Sequence, residues 1–199
     1  MLAQALTLSK TYRKRYYKNH DIRGQLVNRC DIDERPQIVE ECLRIGDYES
    51  NTVVGKEHKG ALFTLIDRTT REAKIKALPN RQAIRVKNAC IELLKDEQLA
   101  TITFDNGKEF VLHQEIENTL NIEVYFAKPY HSWERGTNEN TNGLIRQFLP
   151  ENQRLDNIDE SVIRAIEHNL NNRPRKVLGY RTPLEVKSNL IGVALRIII

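Results

Sequence analysis

The sequence predicts an α/β fold, a mixed five-stranded sheet flanked by helices. Three runs of strand character follow one another across short turns at 45–54, 61–68 and 72–78, as in an antiparallel meander. From residue 80 the pattern becomes helix, strand, helix, strand, which builds parallel pairs by crossover. Further amphipathic helices close the chain.

The elements are justified in order. Residues 1–29 are basic, with Lys10, Arg13, Lys14, Arg15, Lys18 and Arg23 among Tyr12, Tyr16 and Tyr17. Such a segment can neutralise phosphates and stack on bases, or stand as a solvated tail. Asp31–Leu43 is a linker and a short helix that begins after Arg35-Pro36, with Ile38, Val39 and Leu43 as its apolar side. Ile45–Val54 is the first strand, and Asp47, Glu49 and Asn51 share one of its faces. Gly55–Gly60 closes a hairpin, and Ala61–Arg68 is a central apolar strand. Asp67 near its end reads as a structural or exposed acid. Glu72–Leu78 alternates as an edge strand.

Asn80–Asp96 is an amphipathic helix, with Asn80 at its N-cap and Ile84, Cys90, Ile91 and Leu94 as its buried stripe. Thr101–Phe104 is the fourth strand and should neighbour the first. Val111–Leu120 is a shorter helix with Ile116 and Leu120 inward. Glu123–Ala127 is the last strand. A loop from Lys128 leads into the helix that carries Glu139 and stops at Pro150. Asp159–Asn171 is amphipathic, with Val162, Ile163, Ile166 and Leu170 inward. Arg173, Arg175, Lys176 and Arg181 follow as a compact basic cluster that can bind DNA phosphates. This divides the chain into an arm and linker at 1–35, a core at 36–190 and a tail at 191–199.

Composition narrows the function. The 199 residues suffice for one good core, and a net charge of +4 permits nucleic-acid partners. No apolar run reaches transmembrane length and no secretory signal is evident, so a membrane role is not expected. Cys30, Cys42 and Cys90 are odd in number and lack metal-like spacing, which fits free thiols in a reducing cytosol.

The chemistry concentrates in Thr101–Arg146. Asp105 ends a strand before an Asn106-Gly107 turn, and Glu139 stands near a helix start with thirty-three residues between them. Carboxylates so placed can converge on Mg²⁺ or Mn²⁺, or stand apart as a solvated turn acid and an exposed helix acid. Asn142 and Arg146 share the helix face of Glu139 and can touch the DNA backbone, or stand on a solvated helix face. Lys128, Tyr130, His131, Trp133 and Arg135 in the preceding loop can hold a DNA backbone or wedge a base. Glu134 is a neighbouring acid at shorter spacing.

DNGKEF, the Asp105-to-Glu139 spacing and SWERGTNENTNGLIRQFLP together resemble bacterial insertion-sequence transposases of the IS-thirty family, relatives of retroviral integrases. NNRPRK-x-LGYRTPLEV resembles the closing motif of the same group, and the resemblance runs from about Asp31 to the end. It implies a ribonuclease-H-like fold and a three-carboxylate site for two divalent ions in an active relative. Asp105 and Glu139 would be metal ligands, with Arg146 as the basic residue that follows. The resemblance also implies DNA partners (transposon ends and target), a homo-oligomer on DNA, and a cytoplasmic, nucleoid-associated bacterial protein. In that family a helix-turn-helix region precedes the core; no such pattern is evident before residue 31.

One position departs from the family. Its first acid stands in a stretch that reads Trp-Glu-Gly-Asp-Thr-Val, whereas this chain has Tyr48-Glu49-Ser50-Asn51-Thr52-Val53. An amide thus occupies the first catalytic slot. Two readings follow: a metal-dependent transposase core weakened by Asn51, or a non-catalytic DNA-binding remnant or regulator. A repair or recombination nuclease of the same fold fits the SWERGTNENTNG stretch less well. Glu49 leaning towards the ions would be a rescue, against a strand displacement of about 6–7 Å.

Overall fold

The computed structural model describes residues 26–128 and 136–197, with side-chain detail for 26–128 and 140–192. Six strands form one sheet: β1 Cys30–Asp31, β2 Asp47–Val54, β3 Ala61–Asp67, β4 Ala73–Leu78, β5 Thr101–Phe104 and β6 Glu123–Phe126. Their spatial order is β1-β6-β5-β2-β3-β4. β2, β3 and β4 pair antiparallel, while β5 joins β2, β6 joins β5 and β1 joins β6, all in parallel. The expected five strands and the pairing of the first with the fourth are present. The sixth, β1, is a correction: two residues of the linker add to the edge, and two residues carry no readable period.

Helices cover both faces. α1 is Gln37–Glu40, α2 Ala83–Leu94, α3 His113–Leu120, α4 Gly136–Phe148, α5 Glu160–Asn171 and α6 Pro183–Ile197. One core cluster gathers Tyr48, Phe63, Leu65, Phe104, Phe110 and Phe126 with Val86, Cys90 and Leu94 of α2 and Ile116 of α3. The other sets Val53, Leu62, Ile66 and Ile75 against Ile145 and Leu149 of α4 and Ile163, Ile166 and Leu170 of α5. β3 serves both clusters, so every residue of it is buried and its sequence is a nearly unbroken apolar run.

Several inward assignments need correction. Ile84 is 47% exposed, because α2 starts at Ala83 and its buried row runs Val86, Ala89, Cys90, Leu94. Asn80 precedes that helix, and its Oδ1 accepts from Gln82 N at 3.2 Å. Val162, Ile38 and Leu43 are exposed, leaving Ile163 and Val39 to face inward. α6 runs to Ile197, through the stretch expected to be a tail. Its start is built by Thr182 and Glu185, each accepting a backbone N–H from the other, at 3.2 and 2.8 Å. Lys187 then ties α6 to the edge of the sheet through Glu72 at 2.7 Å and Glu97 at 2.9 Å.

Asp67 is fully buried and accepts from Gly46 N, Thr69 N and Thr70 N, so it organises the β3–β4 turn. At the opposite end, the β2–β3 hairpin tip locks onto the α4–α5 connection. Lys56 N donates to Gln153 O at 2.9 Å and Leu155 N to Lys59 O at 2.9 Å. Gly60, at φ +76°, lies so close to the backbone of Leu155 and Asp156 that no side chain fits there. No helix of the described residues is long and apolar enough to cross a membrane.

Candidate active site

The site begins with two strands side by side. β2 and β5 pair in parallel with Asp47 opposite Thr101, Tyr48 opposite Ile102 and Glu49 opposite Thr103. Continued by two residues, that register sets Asn51 level with Asp105. Alternation puts Asp47, Glu49 and Asn51 on the face shared by residues 101, 103 and 105. Thr101 Oγ1 donates to Asp47 Oδ1 at 2.7 Å on that face.

Asp105 stands one residue beyond the end of β5, and its carboxylate is shaped by the turn. Its Oδ1 accepts from Gly107 N at 2.8 Å. Asn106 reaches the other way, donating through Nδ2 to Ala127 O and accepting from Arg29 at Oδ1. Asn51 is half-buried, and its Oδ1 accepts from Thr52 N at 2.8 Å.

Glu49 cannot swing towards this point. It is 1% exposed, and Oε1 is ion-paired with Arg68. Arg68 is itself fixed by Nε donating to Val39 O at 3.0 Å. Burial pushes the Glu49 carboxyl above its ordinary range, opposed chiefly by the Arg68 charge. Arg35 covers the same face and donates to Thr103 Oγ1 at 2.8 Å.

The remaining sequence-derived residues fall in distinct places. Glu139 lies in the early part of α4. Tyr130, His131, Trp133, Glu134 and Arg135 lie outside the described residues, as does the basic segment from Lys10 to Arg23. Lys128 pairs with Asp33 at 2.6 Å. Asn142 is half-buried, and Arg146 donates through Nη2 to Val54 O at 2.7 Å, which fastens α4 to β2. Arg173 and Lys176 are exposed, and Arg173 reaches Gln147 Oε1 at 3.2 Å. Arg175 is buried and donates to Leu170 O at 3.1 Å, so its guanidinium braces the loop from within. Burial and the neighbouring Arg173 and Arg71 charges hold its pKa below the usual guanidinium range. Among the described residues, no three of His, Cys, Asp and Glu form a metal-holding group.

Two contributors escaped the sequence reading. Glu109 keeps only 9% of its side chain exposed, and Oε1 accepts from Thr52 Oγ1 at 2.7 Å. Arg81 approaches the same oxygen at 3.4 Å. Gly107 lies between two carboxylates: a Cβ there would stand 2.5 Å from Glu109 Oε2 and 2.8 Å from Asp105 Oδ1. The signal was the Glu within DNGKEF, four residues past Asp105, but nothing in its spacing points to Thr52.

No family model matches the chain. Over 185 residues it is 50% identical to the transposase for insertion sequence element IS4351 of Bacteroides fragilis, covering 92% of this chain and 56% of that protein. It is 33% identical over 196 residues to transposase InsI for insertion sequence element IS30A of Escherichia coli strain K12, covering 94% of this chain and 50% of that one. The chain is a homologue of the insertion-sequence transposases. It spans about half the length of these curated relatives.

Solved structures agree on the fold of this transposase homologue. The catalytic core domain of BIV integrase matches with a TM-score of 0.59 at 17% identity, covering 75% of this chain and 97% of that one. A chain of the simian T-cell lymphotropic virus intasome, solved with PP2A regulatory subunit B56 gamma, matches with a TM-score of 0.58 at 14% identity, over 71% of this chain and 53% of that one. The fold is ribonuclease-H-like.

Proposed function

We propose that the chain forms the core of a DNA transposase, acting on phosphodiesters at a centre made by Asp105, Glu139 and position 51. The observation that carries this reading is the parallel register of β2 and β5, which, continued two residues past Glu49 and Thr103, sets position 51 level with 105. Arg146, in the last turn of α4, is held on Val54 of β2. Seven residues of helix and three of strand each advance about 10 Å, so Glu139 can stand over position 51.

The donor set suits hard divalent ions: two carboxylates and the neutral oxygen of an amide fit Mg²⁺ or Mn²⁺. Bound there, such ions would lower the pKa of the attacking oxygen and offset the negative charge that develops at phosphorus. In the first step a water oxygen attacks phosphorus, the P–O3′ bond breaks and a 3′-hydroxyl is released. In the second, that hydroxyl oxygen would lose its proton and attack phosphorus of a target phosphodiester, and the target's own P–O3′ bond would break to release a new 3′-hydroxyl. Asp105 and Glu139 hold negative charge at the reacting centre, and Asn51 supplies none. In this reading Lys128, Trp133, Arg135, Asn142, Arg146, Arg173 and Lys176 are the residues that would contact the DNA backbone. Arg175 supports the loop of Arg173 and Lys176. The active form is a homo-oligomer on transposon ends and target DNA.

A second reading is a DNA-binding remnant or regulator without catalysis. It is favoured by the amide at 51 together with the commitment of Glu49 to Arg68. Strand nicking with Mg²⁺ or Mn²⁺, compared between the native chain and Asn51→Asp, separates the two. The transposase reading expects faster nicking after restoration of the acid. Equal nicking by both chains means that residue 51 is not the ligand slot. Salt-sensitive DNA binding without nicking by either chain selects the remnant.

A further inference from the structure

We propose that the loop between α5 and α6 is a binding site for single-stranded DNA, in which Tyr180 stacks on an unpaired base and Arg173, Lys176 and Arg181 hold the phosphates. The inference rests on the reading above that the chain acts on DNA, and it adds a strand form and a side chain outside the centre at 51, 105 and 139. Tyr180 at 71% and Val177 at 68% are the two most exposed large hydrophobic side chains among the described residues. They stand three positions apart in a stretch that holds no acid from Asn172 to Leu184. Arg173, Lys176 and Arg181 are exposed around them. The arginines of this stretch donate to neutral acceptors: Arg173 to Gln147 Oε1, Arg175 to Leu170 O and Arg181 to Leu178 O. The next acid, Glu185, is committed to Thr182 N at 2.8 Å. An apolar, aromatic tip set among cations suits a nucleic-acid strand better than an apolar protein face.

The loop is closed on itself. Arg175 N donates to Arg181 O at 3.0 Å, and Arg175 O accepts from Leu178 N at 3.0 Å and from Tyr180 N at 2.9 Å. Leu178 is buried and anchors the turn. Tyr180 has a φ of +64°, a left-handed conformation that disfavours a bulky side chain. A ring left mostly in water returns little burial against that strain, so neither packing nor backbone geometry accounts for a tyrosine there. Stacking does: the ring offers a face to a base while the flanking cations meet its phosphates. Arg175 adds a buried guanidinium whose Nε has no hydrogen-bond partner, and the charges of Arg173 and Arg71 act on it with the same sign. A phosphate at the loop surface would balance this accumulated charge. In a duplex each base is already stacked on its neighbours, so the ring selects an unpaired one.

The test is fluorescence anisotropy of the full chain with a labelled oligothymidylate and with a duplex of the same length, in EDTA so that no metal-dependent step enters. Tyr180→Ala should raise the Kd for the single strand about 5- to 100-fold and that for the duplex less than about twofold. Tyr180→Phe keeps the ring and should stay near native. Tyr180→Gly relieves the backbone, so its melting temperature should hold or rise while single-strand binding falls as in Tyr180→Ala. Arg173→Gln with Lys176→Gln should lower the slope of log K against log salt by about 1.4, two phosphate contacts on a single strand. Unchanged single-strand binding in Tyr180→Ala, or an equal loss for single strand and duplex, overturns the site. A changed sedimentation coefficient with DNA binding intact would make the loop an interface between copies and overturns it too. If the native chain binds neither form at low salt, the reading of the chain as acting on DNA falls, whereas binding that ignores the loop variants removes the loop site alone.

Discussion

Asn171 grips Ala73 by both ends of its amide. Nδ2 donates to Ala73 O at 2.8 Å, and Oδ1 accepts from Ala73 N at 2.7 Å. One helical turn earlier, Glu167 Oε2 accepts from Ile75 N at 2.7 Å. α5 thereby satisfies the outer backbone of β4 as a further strand would, and the sheet ends there without an open template for pairing. Asn171→Ala leaves the buried N–H and C=O of Ala73 without partners, at a cost of about 2–4 kcal/mol. Urea unfolding should show that loss, and light scattering should show concentration-dependent association at the uncovered edge. A loss below ~1 kcal/mol would mean that water replaces the amide freely.

Glu167 gives the same edge a pH dependence. Burial raises its carboxyl pKa, against the Ile75 N–H that favours the charged form. Below the ordinary carboxylate range, both folded and unfolded chains hold the proton and its stabilising contribution is fully present. That contribution is lost as pH rises through the raised folded-state pKa. Glu167→Gln keeps an acceptor for Ile75 and removes the ionisation. The variant should therefore gain on the native chain between acid and neutral pH, in urea melts at matched ionic strength. A gain that grows towards acid instead would reverse the assigned direction.

What the sequence showed, and what it hid, follows from the range of each interaction. β3 was legible because burial on both faces left ALFTLI almost wholly apolar. The neighbourhood of Asn51 and Asp105 was legible because a meander followed by a crossover admits few strand orders. The phase of α2 was misread because Pro79 drew the helix start to Asn80, whereas the chain turns helical at Ala83 and Ile84 faces outward. The opening of α6 carried a readable signal in Thr182-Pro183-Leu184-Glu185, a capping pair with Pro at the first helical position. The Thr52–Glu109 bond joins residues 57 apart in sequence, and no local pattern records such a partner.

Gly107→Ala should divide stability from site geometry. Its φ of −66° and ψ of 141° suit alanine, so the backbone carries no penalty. The three atoms nearest the added methyl carbon belong to the carboxylates of two side chains, Oε2 and Cδ of Glu109 and Oδ1 of Asp105. Both can rotate away, and the smaller freedom of the unfolded alanine chain offsets about 0.4–1 kcal/mol of the strain. Thermal melting should therefore shift little, corresponding to less than ~1 kcal/mol, while Mn²⁺ binding weakens. A large fall in melting temperature would show that the turn backbone, not the carboxylates, absorbs the methyl group.

Arg68→Met tests the pair that keeps Glu49 away from position 51. The native guanidinium binds Glu49 Oε1 and Val39 O and approaches Glu40 Oε2 at 3.4 Å. Methionine fills most of the volume but leaves a carboxylate at 1% exposure without its main counter-charge. Breaking one side of such a buried pair costs about 3–5 kcal/mol. The Glu49 carboxyl, already pushed up by burial, would rise further and hold its proton to higher pH. The variant should thus lose less at acid pH than at neutral pH. Adding Glu49→Gln removes the stranded charge, so the double variant should recover part of the loss, with a coupling of about 0.5–3 kcal/mol. Strict additivity of the two substitutions would show that Arg68 is held by Val39 and Glu40 alone and that Glu49 is free to seek another partner.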